Sequence, residues 1–306
     1  MSASSAAQVP ARTATLGGGG GHGASAVPLR APAPRQRLGG VLRALLAVAA
    51  ALLFLGPIYI ALVTSLDTAA HVFVFPPHLV PDWDFHPYAR VWQMARWAMY
   101  FGNTVLIAVV TIAISLTTSV LAAYAFAFLH FRGRDLVFAL VVAVLMVPAE
   151  ALLIPNYIIL HGMGLLNTYW AQILPFGASA FGIFLLRQFF LTFPTSYWDA
   201  ARVDGAGHMR FLWSVVLPLA IPTLTTIGLY IFIGVWNSFQ WPLIVTVSHH
   251  VQPIEVAVSR LMMAHSVDWR RLSAAGTMVT LPLVVVFLSL ERYILRGISR
   301  NAGLQG

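Results

Sequence analysis

Six stretches of this chain are each apolar over the length of a bilayer-spanning helix, at about 44–66, 103–129, 136–160, 167–186, 219–247 and 272–292. A helix crosses the hydrocarbon core with about 20 mainly apolar residues. Runs this long and this continuous are apolar on every side, so each must be covered all round. Six of them in 306 residues leave too little chain to build that covering from protein. Lipid is therefore the covering, and the predicted fold is an all-α membrane protein with six transmembrane helices. Composition agrees: 59% of residues are hydrophobic and only 9% charged, against about 25% charged in soluble domains. The net charge of +8 comes from arginine alone. The arginines are scattered and gather near the ends of the apolar runs, a membrane pattern more than a nucleic-acid one. The absence of cysteine excludes disulfides, thiolate catalysis and cysteine-ligated metals.

Residues 1–40 read as a disordered cytoplasmic tail rich in Ala, Gly, Ser and Pro, and 41–306 as the transmembrane domain. The first apolar run is longer than the core of a cleavable signal, so the N-terminus is not read as one. Arginine placement sets the orientation. With both termini inside, every arginine lies on the cytoplasmic side except Arg90, Arg96, Arg260, Arg270 and Arg271. The segment Asp67–Ala98 is then external, with Trp83, Trp92 and Trp97 as expected interface anchors. The loop Ser248–Arg271 is external as well.

The segment 194–217 is polar between two apolar runs and falls on the cytoplasmic side. Ser196 is expected to cap a short helix, with Asp199 three residues on as its capping-box partner. Ala200 and Ala201 give that helix a low face which another surface can approach. Gly205 and Gly207 end it, and Gly205 permits a positive φ. His208–Val216 is expected to lie along the interface, and Pro218 to sit in the first turn of the next span. Read from residues alone, this is either a partner-docking helix or an ordinary loop.

The pattern Asp199-Ala200-Ala201-x-x-Asp204-Gly205, followed by Leu217-Pro218, resembles the EAA loop of ABC importer permeases. Asp199 stands where that motif usually carries Glu. The resemblance extends over nearly all of 41–306 and points to the carbohydrate-uptake branch, to its shorter, maltose-type six-span subunit. Val147-Pro148-Ala149-Glu150, Ile154-Pro155, Gly164-Leu165-Leu166-Asn167-Thr168, Trp236-Asn237-Ser238-Phe239-Gln240-Trp241-Pro242-Leu243 and Tyr293–Ile298 carry it further. It implies the type I ABC importer permease fold. It also implies an importer of a sugar or related solute (oligosaccharide, polyol or glycerol phosphate) in the cytoplasmic membrane. The implied partners are an ATP-binding cassette ATPase dimer, a second homologous permease subunit and an extracytoplasmic solute-binding protein. Asp199, Ala200, Ala201, Asp204, Gly205, Leu217 and Pro218 are then the ATPase-coupling residues. ATP and Mg belong to the partner ATPase, and this chain binds no cofactor and no nucleic acid. The alternative is a secondary, ion-coupled transporter, which needs a coupling-ion site and internal repeats.

Other candidates stand on their own chemistry. Glu150 is the one acid away from the ends of the apolar runs, and a carboxylate there costs about 2.5–3.5 kcal/mol on insertion scales unless it faces water or a polar partner. It reads either as a pathway or gate residue, or as a structural hydrogen bond in a helix broken by Pro148 and Pro155. Asn237, Gln240 and Trp241, expected one helical turn apart, suit a sugar with amides for hydroxyls and an indole for the ring. They equally suit helix–helix packing, and packing or gate lining is the favoured reading. Gly18-x-Gly20-x-x-Gly23 matches the dinucleotide fingerprint in letters only, with no strand before it. A chain without lysine has no P-loop, so ATP hydrolysis is not expected here. His249-His250 is expected to be a solvated pair, and no metal site is expected.

Overall fold

The computed structural model describes residues 34–72, 74, 76, 78–262 and 268–302, with side chains from residue 43 to residue 290. The glycine-rich match at 18–23 and the extreme C-terminus at 304–306 lie outside the described residues. So does the tail up to residue 33. The described residues are helical without strands. Four helices are long and apolar enough to cross a membrane, or six if two bent pairs each count as one span.

Helix α1 (Pro34–Leu66) is continuous and begins inside the segment expected to be a tail. From Leu55 onward the chain forms one packed unit. A short helix α2 (His86–Met94) follows a fold-back after α1, and the Asp84 carboxylate accepts the His86 N–H at 2.9 Å beside its start. That bond, with the His86 ring, holds the Asp84 carboxyl below its ordinary range. Helix α3 (Trp97–Phe128) is the centre of the unit. It packs against α7 (Ala180–Leu191) and α10 (Leu217–Trp236).

The face that α3 turns inward carries small residues: Ala108, Thr111, Ser115, Ser119 and Ala123 are all fully buried. Small side chains let helix backbones approach closely where lipid supplies no hydrophobic drive between helices. Gly182 of α7 uses that approach. A Cβ there would stand 2.8 Å from Ser119 Oγ and 3.2 Å from Ile227 Cγ2.

Two apolar clusters sit at opposite ends of α3. Near its start, Val91, Trp97, Tyr100, Ile254, Ala257, Ala275 and Val279 pack together. Near its end, Val120, Tyr124, Leu186, Phe190, Phe211, Leu212 and Val216 do. Trp97 is 1% exposed, so it is a core residue and not the interface anchor expected from sequence; Trp83 and Trp92 are exposed.

Three expected spans are interrupted. The third runs as α4 (Arg134–Ala143), a 3-10 turn, a break at Val147-Pro148, and α5 (Leu153–Gly162), with a bend of 100°. Pro148 forces extended backbone on Val147 (ψ 121°). The fourth is α6 (Tyr169–Ile173) and α7, bent by 40°. The fifth, expected at 219–247, instead starts at His208 with α9 (His208–Phe211). It continues through a π-helical turn at Leu212–Val216 into α10 and stops at Trp236. The segment His208–Val216 therefore belongs to this span, with Phe211, Leu212 and Val216 in the core. A separate short helix α11 (Gln240–Val245) follows, then α12 (Ile254–Met262) and α13 (Trp269–Ala302).

Gly182→Ala should destabilise the protein by about 1–3 kcal/mol through overpacking, lowering its melting temperature in detergent. Adding Ser119→Gly should restore part of that loss, because the nearest clashing atom is then gone.

Candidate functional site

Helix α8 (Thr195–Val203) stands between α7 and α9, and its two faces differ. Trp198 and Ala201 pack against the cluster at the end of α3. Trp198 stacks on the His208 ring at 4.4 Å and 17° and meets Phe211 edge-on at 5.0 Å. The Tyr124 hydroxyl of α3 donates to the His208 carbonyl at 3.2 Å and lies 2.9 Å from His208 Nδ1. The opposite face, with Asp199, Ala200, Val203 and Asp204, is exposed; Val203 is 88% exposed. Neither Asp199 nor Asp204 has a side-chain hydrogen bond or ion pair among the described residues.

The ends of α8 differ from the sequence expectation in one respect. Pro194, with ψ 138°, occupies the N-cap position, and no side chain caps the helix. Ser196 lies inside the first turn, so Asp199 is not part of a capping box. The C-terminus follows expectation. Gly205 has φ +73°, its N–H donates to the Arg202 carbonyl at 3.0 Å, and the Ala206 N–H donates to the Ala201 carbonyl at 2.8 Å. That is a Schellman motif, which demands a left-handed residue after the cap. Ala201 is half-buried against the bundle, so the low face expected from Ala200 and Ala201 together is presented by Ala200 alone. Leu217 packs on the same cluster, and Pro218 is the second residue of α10, directly after the π-helical turn.

The four pathway candidates meet in one place. Glu150, Asn237, Gln240 and Trp241 line a groove of about 530 Å³ together with Asn156, Phe176 and Ser238. They come from two chain breaks: Glu150 from the turn at the 100° bend, and the others from the interruption between α10 and α11. Asn237 is the C-cap of α10 and Gln240 the first residue of α11, so the three are not on one helix as expected. Trp241 is buried and donates its Nε1–H to the Ala171 carbonyl at 3.0 Å, which is a packing role. Asn237 donates to the Ile233 carbonyl at 3.0 Å and is otherwise exposed. Glu150 is exposed, with no side-chain partner among the described residues.

A second cavity, of about 320 Å³, adjoins this groove through Phe176 and Ser238. Thr104, Ser115, Gln172, Ser179 and Tyr230 also line it. Ser115 Oγ and Gln172 Oε1 are buried there without a hydrogen-bond partner. Buried polar atoms are nearly always paired, so these two are poised for water or a hydroxyl-bearing molecule.

Sequence reasoning missed the polar braces around these cavities. Asn103 Nδ2 donates to the carbonyls of His250 and Gln252 at 2.8 and 2.9 Å, and its Oδ1 accepts from Tyr169 OH at 2.8 Å. Asn167, at φ +60°, accepts the N–H groups of Val247 and Ser248 at 2.9 and 2.7 Å. A polar residue opening an apolar run was the available signal. His249 and His250 are both exposed, as expected of a solvated pair, and His249 Nδ1 also contacts Tyr100 OH and the Arg260 guanidinium.

Residues 115–300 match the sequence profile of the family described as binding-protein-dependent transport system inner membrane component. The chain is 34% identical over 264 residues to the sn-glycerol-3-phosphate transport system permease protein of Yersinia pestis, covering 81% of this chain and 91% of that one. It is 33% identical over 200 residues to the arabinooligosaccharides transport system permease protein of Halalkalibacterium halodurans, covering 65% and 72%. The structure resembles a chain of a bacterial ABC transporter involved in the import of the acidic polysaccharide alginate. That likeness has a TM-score of 0.77 and 27% identity, over 86% of this chain and 98% of that one.

Trp198→Ala should loosen α8 without unfolding the spans. Truncating a buried aromatic costs about 3–5 kcal/mol, and somewhat less is expected at this half-buried position. Amide hydrogen exchange should then rise across residues 195–206 and stay unchanged along α3.

Proposed function

The chain belongs to the family of binding-protein-dependent transport system inner membrane components and is the membrane-spanning permease subunit of an ABC importer; on that premise we propose that α8 is the helix through which a separate ATPase drives it. The observation that supports this is the split character of α8. One face is bolted to the bundle through Trp198 and Ala201, and the other offers Asp199, Ala200, Val203 and Asp204 with nothing covering them. An exposed valine beside two unpaired carboxylates is a contact surface for another protein, since an apolar centre with a polar rim is what interfaces have. The family match leaves nothing that favours the ion-coupled alternative.

In this reading both termini and α8 are cytoplasmic, as the arginine distribution supports. An ATP-binding cassette dimer docks below, a second homologous permease completes the pathway, and a solute-binding protein delivers cargo from outside. ATP and Mg sit on the ATPase, and this chain catalyses no reaction. α9 continues through the π-helical turn into α10, which Leu217 and Pro218 open, so a push on α8 against His208 and Phe211 reaches the groove at the far end of the same span.

The solute proposed is a neutral sugar or polyol. The groove lined by Glu150, Asn237 and Gln240 holds amides and a carboxylate, and no basic side chain is among its lining residues. Amides bond hydroxyls, whereas a phosphate is best held by a cationic side chain.

Gly205→Val should strain the left-handed turn, and Asp199→Arg should reverse a charge in the contact. Either should leave membrane insertion intact and reduce co-purification of a P-loop ATPase tenfold or more. Full co-purification with normal ATPase stimulation in both variants would count against α8 as the coupling helix. For the solute, vesicles holding the reconstituted importer should accumulate a neutral oligosaccharide in preference to sn-glycerol 3-phosphate. The reverse preference would assign the groove another role.

A further inference from the structure

The fold-back between α1 and α2 gathers three side chains with metal-binding chemistry, none of them part of the coupling helix or among the lining of the groove. His71, His78 and Asp82 each present a ligand atom, and these atoms all lie within 4.8 Å of one another. The two imidazole rings lie 4.6 Å apart, tilted by 36°. His71 Nδ1 is 2.7 Å from Asp82 Oδ2.

The cluster is supported from behind. The Thr68 N–H and hydroxyl donate to Asp82 Oδ2 at 2.9 and 2.7 Å, fixing the carboxylate. His78 Nδ1 lies 3.4 Å from Oδ1 of Asp67, a residue only 3% exposed. A metal-ligating histidine typically gives its second ring nitrogen to a carboxylate, which sets the tautomer and makes the free nitrogen a better donor. Asp67 stands in that relation to His78 and leaves Nε2 free. A buried carboxylate with a histidine as its side-chain partner is also a reason for that ring to stay where it is.

We propose that His71, His78 and Asp82 bind a divalent transition ion of borderline softness, Zn²⁺ being the representative, with Asp67 as the outer-shell partner of His78. Two imidazoles and a carboxylate suit Zn²⁺ at bond lengths of about 2.0–2.2 Å, with water in the fourth position. Ligand atoms around such a tetrahedral ion stand about 3.3–3.6 Å apart, so the present spread closes by side-chain rotation. Ca²⁺ and Mg²⁺ prefer all-oxygen shells and fit poorly. Binding breaks the His71–Asp82 hydrogen bond, and any proton on the two rings at the ligating nitrogens leaves to solvent. The ion pins the turn that joins α1 to α2 by linking residues at both its ends.

The test uses the full chain in detergent, purified through a tag without histidine, because the chain itself carries ten histidines. Co²⁺ is the probe, since tetrahedral Co²⁺ gives intense visible bands. One Co²⁺ per chain with those bands, displaced by Zn²⁺, is expected. His78→Gln should weaken Zn²⁺ binding more than tenfold. Asp67→Asn should weaken it about tenfold while keeping the stoichiometry, as outer-shell changes do. A His249→Gln/His250→Gln double variant should bind as the parent does. Equal Co²⁺ spectra and affinity in the parent and a folded His71→Gln/His78→Gln double variant would overturn the assignment, as would a parent spectrum without tetrahedral bands.

Discussion

A chain surrounded by lipid has no water to satisfy backbone polar groups, so a helix can stop only where another group takes over its hydrogen bonds. This protein stops helices inside three of its apolar runs, and where the chain leaves α11 side chains of neighbouring elements take up the backbone groups. Asn167 takes the N–H groups of Val247 and Ser248 where the chain leaves α11. Asn103 donates to the carbonyls of His250 and Gln252, while Gln172 Nε2 holds the Val251 carbonyl at 2.8 Å. Thr104 Oγ1 then receives the Ile254 N–H at 2.9 Å as α12 begins. These side chains stitch α3, α6 and the segment after α11 into one piece. Without them the backbone from Val247 to Ile254 would lose the partners that Asn167, α3 and α6 supply.

The interruptions are what bring polar side chains together at one groove. Glu150 and Asn237 reach a shared groove because neither lies within a regular span: one sits at a 100° bend and the other at a helix terminus. The adjoining cavity has Ser115 Oγ and Gln172 Oε1 unpaired inside it. A single helical rod from His208 to Trp236 has its first turns in the aromatic cluster under α8 and its last residue beside that groove. The proposed drive and the proposed pathway thus share one rigid element, with the π-helical turn at Leu212–Val216 as its irregular point.

Much of this was legible in the residues. Apolar run length gave the helical class and the number of membrane crossings, because lipid imposes a length that the sequence must meet. Gly205 announced a left-handed turn, and the structure places it in one. The ends of the runs were less legible. Pro218 looked like the first turn of a span, yet the helix begins at His208 and runs through a π-helical turn into α10. Ser196 looked like a cap, but the preceding proline already holds the extended backbone of that position. Trp97 looked like an interface aromatic and is instead fully packed against Val91, since nothing in a local pattern separates the two environments.

The sequence by itself determined that this chain lies in a membrane, that it is helical, and that a short charged helix interrupts its apolar runs. These follow from length, periodicity and composition, which are local quantities. Only the tertiary structure decided which residues meet. Glu150 faces Asn237 across 87 positions of chain, Trp198 stacks on His208, and Ala201 turns inward while Ala200 turns out. His71, His78 and Asp82 converge for the same reason. Their juxtaposition depends on how the chain reverses between helices, and reversal is set by long-range packing that no spacing rule records.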